Sequence, residues 1–292
     1  MQRMCGLTGL SRASLYRHWE AEAVETLEPE LRAMIQRVAL ENRFYGYRRI
    51  TQEIRRQGWP VNAKKVRRMM HEDNLLANRQ RRFVPTSDSE HDFLVYPNLA
   101  KTLTLTAINQ LWVADLTYVR LGTEFVYVAV VLDGYSRRVV GWALGRSLHS
   151  SLALLALERA IRSRNPHAGL VHHSDRGSQY ASNEYVKRLE SIAAVISMSQ
   201  PGRPWENGKC ESFMRTLKRE EIDARPYRNL EELEQNLEEF IETIYNPKRL
   251  HSALGYCSPV EYEQQHAARS DPQGWQPGGV SFSRHEEIYP DA

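Results

Sequence analysis

The sequence predicts an α/β core built on a mixed five-stranded sheet and preceded by an all-α region. Residues 109–146 are rich in Val, Tyr, Trp and Leu without a helical period, which predicts three antiparallel strands. Helix and strand signals then alternate up to residue 198, which adds parallel strands to the same sheet. Residues 29–77 instead repeat apolar side chains at helical spacing, which predicts a separate helical region.

The composition is that of an ordinary folded protein. Of the 292 residues, 26% are charged and 41% are hydrophobic, which argues against wholesale disorder. No apolar run approaches the ~20 residues that cross a bilayer, and the N-terminus lacks the apolar core of a secretory signal. The three cysteines, Cys5, Cys210 and Cys257, form no CxxC pair. We therefore expect a reducing cytoplasm, with no membrane partner, no disulfide framework and no structural zinc site.

Charge is distributed unevenly along the chain. Residues 1–82 carry a net charge of +8, from 17 basic and 9 acidic residues. Residues 83–292 carry a net charge of −5, from 22 basic and 27 acidic residues. This asymmetry favours the front of the chain as the part that meets a polyanion, although a solvated basic helical region would show the same charge.

The first 20 residues contain one candidate helix-turn-helix. Ser11 can cap a short helix that carries Arg12 and Arg17 after a Gly-containing turn. The two arginines are therefore candidate DNA contacts, although a plain amphipathic arm fits this stretch equally well.

Residues 29–77 contain a second candidate helix-turn-helix. The break at Gly58-Trp59-Pro60 separates two helices, and Asn62 is positioned to cap the second one. Because that second helix is basic, the stretch favours DNA binding over a plain helical bundle. The candidate contacts are Lys64, Lys65, Arg67 and Arg68.

The expected domain organisation has four parts. They are a helical, helix-turn-helix DNA-binding region (1–77), a linker (78–108), a catalytic core (109–266) and a flexible tail (267–292). The linker is polar, lacks a period and contains Pro85 and Pro97, which predicts an extended, solvated tether that could also track along DNA.

Within the core, local patterns predict each element in chain order. The expected strands are Leu111 to Tyr118, Phe125 to Leu132, Arg138 to Leu144, Gly169 to His173 and Ala193 to Met198. The expected helices are Ser147 to Arg164, Asn183 to Glu190, Glu206 or Asn207 to Glu220, and a long amphipathic helix from Leu230 to Ile244.

Three carboxylates carry the chemistry that this arrangement predicts. Asp115 lies in the middle of an apolar strand, Asp175 directly follows a buried strand, and Glu211 lies one turn into a helix. If the two strands pair, neighbouring strands ~4.8 Å apart bring both aspartates to one point. Two Mg²⁺ ions ~3.5–4 Å apart, held by such carboxylates, can clamp the attacking and leaving oxygens of a displacement at phosphorus.

Each carboxylate also has a structural interpretation. Asp175 alone could be a turn or cap residue, and Glu211 could belong to a solvated helix face. Two further acids compete for the same role: Glu206 could be a capping carboxylate, and Asp133 suits the hairpin turn at Asp133-Gly134. His172, His173 and Gln179 could position water or substrate, and packing at the strand end explains the histidines equally well. Cys210 is expected to pack.

Four motifs in this order resemble those of the integrase core of DDE transposases. They are Trp112-x-x-Asp115-x-Thr117-Tyr118, Val131-Leu132-Asp133-x-Tyr135-Ser136-Arg137, His173-Ser174-Asp175-Arg176-Gly177-Ser178-Gln179-Tyr180 and Asn207-Gly208-x-x-Glu211-Ser212-Phe213. The closing segment Tyr245-Asn246-x-x-Arg249-x-His251-x-x-Leu254-Gly255-Tyr256-x-Ser258-Pro259 resembles that of the insertion-sequence-three family, in the product of its second reading frame.

The resemblance implies an RNase H-like integrase core with Asp115, Asp175 and Glu211 as its catalytic and metal-binding residues. It implies Mg²⁺, or Mn²⁺ in its place, as the cofactor. In this family a metal-activated water frees a 3′-OH at the element's end, and that 3′-OH attacks a second phosphodiester. A basic residue often follows the glutamate by two helical turns; Lys218 fits that position, and Arg215 on the same helix is a further candidate DNA contact.

The expected partners follow from the same resemblance. They are double-stranded DNA, as terminal inverted repeats and as target, and further copies of the chain in a dimer or larger assembly. An upstream-frame protein is a possible additional partner, and a bacterial, nucleoid-associated location is expected. Two other interpretations stay open: a structure-selective RNase H-like nuclease that cleaves without joining, and a DNA-binding repressor with an inactive core.

Overall fold

The computed structural model describes residues 28–76, 96–200 and 203–266 and divides the chain into two compact units, residues 1–83 and 84–292. The predicted N-terminal helix-turn-helix with Ser11, Arg12 and Arg17, the first part of the predicted linker and the predicted tail lie outside the described residues.

The described part of the N-terminal unit, residues 28–76, contains three helices, including a helix-turn-helix. Its helices are α1 (28–41), α2 (Tyr47–Arg56) and α3 (Ala63–Glu72). The Asn62 side chain accepts a 2.8 Å hydrogen bond from the Lys64 amide, which confirms the predicted helix cap. Apolar side chains from the three helices form the interior: Ile35, Val38, Ile50, Ile54, Val66, Met69 and Met70.

The C-terminal unit contains the predicted mixed five-stranded sheet. Its strands are β1 (Leu111–Leu121), β2 (Glu124–Asp133), β3 (Val139–Gly145), β4 (Val171–Ser174) and β5 (Val195–Met198). They lie in the order β3-β2-β1-β4-β5. β1 pairs antiparallel with β2 and parallel with β4, so β1 is the central strand where the two pairing modes meet.

Helices cover both faces of this sheet. The α-helices among the described residues of this unit are α4 (Ser150–Arg164), α5 (Ser178–Ala181), α6 (Asn183–Ser191), α7 (Gly208–Glu220), α8 (Leu230–Glu239) and α9 (Pro259–His266). α7 and α8 contribute to one buried cluster with Val113 and Val130, whereas α4, α5 and α6 contribute to a second cluster with Trp112 and Ala114. Alternate residues of β1 thus enter opposite cores, as the period of a strand requires.

The turn between β2 and β3 is organised by Asp133. Its Oδ1 accepts hydrogen bonds of 2.9 Å from the amides of Tyr135 and Ser136, and its Oδ2 accepts one of 2.7 Å from the Asn109 amide. The carboxylate is fully buried. Asp133 therefore serves the hairpin turn, as expected, and all of these bonds are structural.

Two segments differ from the predicted ones. The long helix expected to reach Ile244 is α-helical only to Glu239 and continues as a π-helical turn, Phe240–Tyr245. That turn places Asn246 so that its side chain bonds both the amide and the carbonyl of Val139 in β3, at 3.0 and 3.1 Å. The Asn246 side-chain amide thus forms the two backbone hydrogen bonds that a neighbouring strand would form with the edge strand β3.

The second half of the predicted linker is part of the C-terminal unit. Residues 96–108 form neither helix nor strand, but Leu99, Leu103 and Leu105 pack against the core. The Leu99 amide also donates a 2.9 Å hydrogen bond to the Ser197 hydroxyl in β5. The expected solvated tether is therefore wrong for this half, because its leucines bury apolar surface. No helix in the described ranges is long and apolar enough to cross a membrane.

Candidate active site

The pairing of β1 with β4 sets Asp115 and Asp175 side by side. Leu111 pairs with Val171 and Val113 with His173, a constant difference of 60 in residue number (171 − 111). The same difference relates Asp115 to Asp175, two residues beyond the last paired residues. Each aspartate is oriented by a neighbouring amide: Asp115 accepts from Leu116 at 2.8 Å, and Asp175 accepts from Gly177 at 2.9 Å.

The helix α7 brings Glu211 to the same place. Just before α7, the buried Asn207 donates a 2.9 Å hydrogen bond to the Ala114 carbonyl. In its first turn, the Cys210 thiol lies 3.8 Å from the Val113 carbonyl, and Cys210 is fully buried, as expected of a packing residue. These two contacts fix the first turn of α7 against β1, so Glu211 lies close enough to Asp115 to influence its ionisation.

The environment of Asp115 strongly favours the protonated form of its carboxyl group. Burial raises the pKa of Asp115 to about 8, and the negative charges of Asp175 and Glu211 add to that rise. The Leu116 amide and the positive charge of Lys218 act in the opposite direction on this pKa. The side chain keeps some exposed surface, so the group is desolvated on most sides but still reachable from solvent.

These residues suit a divalent cation in their chemistry. Mg²⁺ and Mn²⁺ prefer carboxylate oxygens, and a cation would offset the repulsion that raises the pKa of Asp115. Across residues 28–76, 96–200 and 203–266, no three His, Cys, Asp or Glu side chains form a ready-made metal cluster. Like-charged carboxylates repel, so a cation is needed to draw their oxygens fully together.

Lys218 lies on the same side of α7 as Glu211. Its ammonium nitrogen is 4.6 Å from the centroid of the Tyr118 ring, a cation–π contact that supports the half-buried side chain. Burial lowers the pKa of Lys218, while the charges of Asp223 and Asp115 raise it. The Lys218 ammonium group is therefore held beside the carboxylates, whereas the Arg215 side chain is exposed to solvent.

The histidines expected near the site are structural. His172 is buried and lies 3.0 Å from the Tyr185 hydroxyl, and His173 bonds the hydroxyls of Ser197 and Ser199 at 2.8 and 3.0 Å. Burial lowers the pKa of both, to about 3 for His172 and about 4 for His173. Both rings are thus neutral at physiological pH and join β4 to its neighbours.

Two other polar side chains near the carboxylates also have structural bonds. Gln179 donates a 3.2 Å hydrogen bond to the Leu148 carbonyl. Glu206 accepts from the Gln200 amide at 2.8 Å and from the Asn98 side chain at 2.7 Å, and these bonds lower its pKa. Glu206 therefore closes the loop before α7 and does not cap the helix itself.

The four basic candidates on α3 fall into two pairs. Lys65 and Arg68 both lie beside the Glu28 carboxylate, at 3.8 and 3.0 Å, so their charges are partly neutralised. Lys64 and Arg67 are exposed. The Arg67 guanidinium is 5.7 Å from the centroid of the Tyr47 ring, and Arg48 of α2 lies 5.4 Å from the same ring.

Sequence analysis missed Tyr47 and Arg48. The signal available was the run Tyr47-Arg48-Arg49, in which an aromatic residue precedes two cations at the start of a helix. Only the packing of α2 against α3 shows that Tyr47 is shared between Arg48 and Arg67.

Both units have counterparts among known protein families. Two family models described as "Integrase core domain" match residues 106–204 and 193–259. A model described as "HTH-like domain" matches residues 26–83. The first two matches cover the strands and α7 that carry the three carboxylates, and the third covers the three N-terminal helices.

Curated relatives extend over most of the chain. The insertion element IS600 uncharacterized 31 kDa protein of Shigella sonnei is 36% identical over 90% of this chain and 98% of its own length. The transposase for insertion sequence element IS904 of Lactococcus lactis is 36% identical over 75% and 87%, and transposase InsF for IS3A of Escherichia coli is 35% identical over 77% and 78%. This chain belongs to the IS3 family of transposases. The transposase thus combines a helix-turn-helix region, which implies DNA binding, with an integrase core.

Comparison with solved structures gives partial alignments to integrase catalytic core domains. The transposase aligns with the catalytic core domain of BIV integrase over 55% of this chain and 98% of that one, with a TM-score of 0.40 and 19% identity. It aligns with the HTLV-2 integrase catalytic core domain in complex with magnesium over 53% and 97%, with a TM-score of 0.39 and 17% identity.

Proposed function

We propose that Asp115, Asp175 and Glu211 are the catalytic carboxylates of this transposase and that they bind two divalent cations, Mg²⁺ or Mn²⁺. The observation that carries the proposal is the environment of Asp115, a desolvated carboxyl group on which both other carboxylates act. Two bound cations would supply charge stabilisation for the attacking and leaving oxygens of a phosphodiester.

The chain's own residues prepare this site in three ways. The β1–β4 register sets the spacing of Asp115 and Asp175, and the amides of Leu116 and Gly177 orient them. Glu211 completes the set from α7. Because the pKa of Asp115 is raised to about 8, cation binding at neutral pH releases a proton from this carboxyl group.

Two sets of basic side chains would bind DNA phosphates. Beside the carboxylates, Lys218 is held over Tyr118, and Arg215 extends into solvent from the same helix. In the N-terminal unit, exposed basic side chains on α2 and α3 form a second set that suits a DNA groove. That set comprises Arg48, Lys64 and Arg67, and Lys65 and Arg68 can join it when Glu28 releases them.

The substrates in this proposal are the terminal inverted repeats of the element and a target duplex. Hydrolysis of the phosphodiester at the element's end frees a 3′-OH. At the same site this 3′-OH attacks a target phosphodiester, and the target strand's own 3′-oxygen leaves as the new bond to phosphorus forms. Two ends must be brought together, which calls for at least a dimer on DNA. An upstream-frame protein is a further partner of this assembly, and the bacterial nucleoid is where these DNA partners meet the transposase.

Strand transfer tests the proposal directly. The full chain, Mg²⁺ and labelled duplexes bearing the element's own terminal repeats should give joined products. Asp175→Asn and Glu211→Gln remove one negative charge each with little change in shape, and both should reduce joining below detection while leaving DNA binding intact. Glu206→Gln is the matched control, because the Glu206 carboxylate lies just before α7 and bonds the Gln200 amide and the Asn98 side chain. This substitution should leave joining measurable.

Each of the remaining outcomes would contradict the proposed carboxylates or support one of the two alternative functions. Joined products from either triad variant would exclude the proposed carboxylates. Cleavage without joining, also in the presence of the upstream-frame protein, would establish the nuclease. Binding of terminal repeats without any metal-dependent chemistry would establish the repressor.

A further inference from the structure

One buried hydroxyl beside the carboxylates lacks a hydrogen-bond partner. Tyr180 is only 3% exposed, yet its hydroxyl forms no hydrogen bond with any described residue. A buried polar group without a partner destabilises the fold, so such a group calls for a physical explanation.

The position of the Tyr180 ring is fixed by its neighbours. It stands at 80° to the Tyr185 ring, with 5.4 Å between centroids, and belongs to the buried cluster that contains Ala114. A Cβ atom on Gly177 would lie 3.0 Å from Asp175 Oδ1 and 3.7 Å from Tyr180 Cδ2, so both side chains border the space beside this glycine. The ring therefore has little freedom to turn its hydroxyl elsewhere.

The Tyr180 hydroxyl lies close enough to Asp115 and Asp175 for both charges to raise its pKa. Hydrogen-bonded pairing of β1 with β4 ends at Val113 and His173. The next carbonyl of β1, that of Ala114, is bonded by the Asn207 side chain from α7. Among charged groups, Asp115 acts most strongly on the Tyr180 hydroxyl, followed by Asp175. Asp115 Oδ1 already accepts from the Leu116 amide, which leaves Oδ2 for another donor.

We propose that Tyr180 is a positioning residue of the metal site, whose hydroxyl donates a hydrogen bond to the Asp115 carboxylate when the site holds its cation. The inference rests on the proposed function of that carboxylate. Groups that orient a ligating carboxylate hold it in the geometry the cation requires, and their loss typically weakens metal affinity by 10–100-fold. The Tyr180 hydroxyl, which lacks a hydrogen-bond partner in the metal-free fold, thus gains one when the metal binds.

Tyr185 provides a matched control. It is also a fully buried tyrosine of the same cluster, but its hydroxyl already lies 3.0 Å from His172 Nε2. Tyr180→Phe removes an oxygen that lacks a partner, so the metal-free protein should melt at the same or a higher temperature. Tyr185→Phe breaks an existing bond, so the metal-free protein should melt at a lower temperature.

Metal affinity should depend on the Tyr180 hydroxyl and not on the Tyr185 hydroxyl. We would titrate the full-length wild type and both variants with Mn²⁺, using electron paramagnetic resonance of free Mn²⁺ and the metal-induced rise in melting temperature. Tyr180→Phe should raise the dissociation constant about 10-fold or more and reduce the metal-induced rise. Tyr185→Phe should keep the wild-type dissociation constant within about 2-fold.

Asp175→Asn separates failure of this inference from failure of the proposed function. If wild type and Asp175→Asn bind Mn²⁺ equally, the metal site itself is wrong, and the inference falls with it. If binding depends on Asp175 but Tyr180→Phe matches wild type, only the role of Tyr180 is overturned. If Tyr180→Phe fails to fold, its hydroxyl has a structural bond in the metal-free protein, which also overturns the inference.

Discussion

The guanidinium of Arg249 donates two hydrogen bonds of 2.8 Å to the carboxylate of Glu220 inside the C-terminal unit. Both side chains are almost fully buried, and the bonds join the last turn of α7 to the closing segment of the chain. Since α7 carries Glu211, this ion pair helps to hold the helix that completes the site.

Arg249→Met should destabilise the C-terminal unit by about 1.5–3 kcal/mol, because the Glu220 carboxylate loses its buried partner and keeps only the more exposed Arg219 guanidinium, 2.6 Å away. Urea unfolding at pH 7, followed by tryptophan fluorescence, measures this loss. Arg228→Met, which removes an exposed cation 3.8 Å from Glu232, should cause almost none. The ion pair lowers the pKa of Glu220, so its stabilisation is present above pH 4.5 and is lost as the pH falls further. The difference in stability between wild type and Arg249→Met should therefore narrow as the pH falls below 4.5, and equal stability of the two proteins at pH 7 would contradict the prediction.

Asp115→Asn should make the metal-free protein more stable while abolishing strand transfer. The folded-state pKa of Asp115 is about 8, against 3.8 for an ordinary aspartate, so the folded state binds the extra proton between these values. Stability of the wild type should therefore fall as pH rises through this range.

Thermal melting of the metal-free proteins at pH 5 and pH 8.5 tests this dependence. Asp115→Asn should gain roughly 1–3 kcal/mol over wild type at pH 8.5, allowing for solvent screening, and less at pH 5. Asp223→Asn changes an exposed aspartate and should show no such pH-dependent gain. A pH-independent difference for Asp115→Asn would show that the carboxyl group is not desolvated.

Lys64→Ala and Arg67→Ala should each weaken DNA binding and reduce the slope of log K against log salt concentration by about 0.9. Lys65→Ala and Arg68→Ala should reduce it less, because both cations are partly neutralised by Glu28. Fluorescence anisotropy with a terminal-repeat duplex at several salt concentrations makes the measurement. Glu28→Gln should enlarge the effects of Lys65→Ala and Arg68→Ala. Equal slopes for all four alanine variants would contradict the ion pairing.

Gly141→Ala should disrupt the packing of β3 against α4. A Cβ atom at this position would lie 2.6 Å from the Ala160 amide nitrogen and clash with the Ala156 carbonyl, and helix backbone cannot move aside cheaply. We expect a loss of about 3 kcal/mol or more in urea unfolding. Gly208→Ala is the control: nothing lies within 4 Å of its added Cβ, so stability should stay equal or rise by about 0.5–1 kcal/mol. Wild-type stability of Gly141→Ala would disprove the close approach.

The sequence by itself determined the elements and the family. Strand runs and helical periods encode local structure, so they predicted the five strands, most of the helices and the Asn62 cap. They did not predict the short helices α5 and α9 or the π-helical turn Phe240–Tyr245. Asp133 could likewise be assigned to its turn, because turn chemistry depends on near neighbours in the chain. The motif order identified the transposase family and named Asp115, Asp175 and Glu211 as candidates.

Only the tertiary structure decided how distant residues meet. The β1–β4 register sets Asp115 beside Asp175, and the resulting desolvation and repulsion raise the pKa of Asp115. Packing also divided the α3 cations between Glu28 and solvent and buried the Tyr180 hydroxyl without a hydrogen-bond partner among the described residues. These properties depend on contacts between residues tens of positions apart, and a local pattern carries no record of which surfaces will pack together.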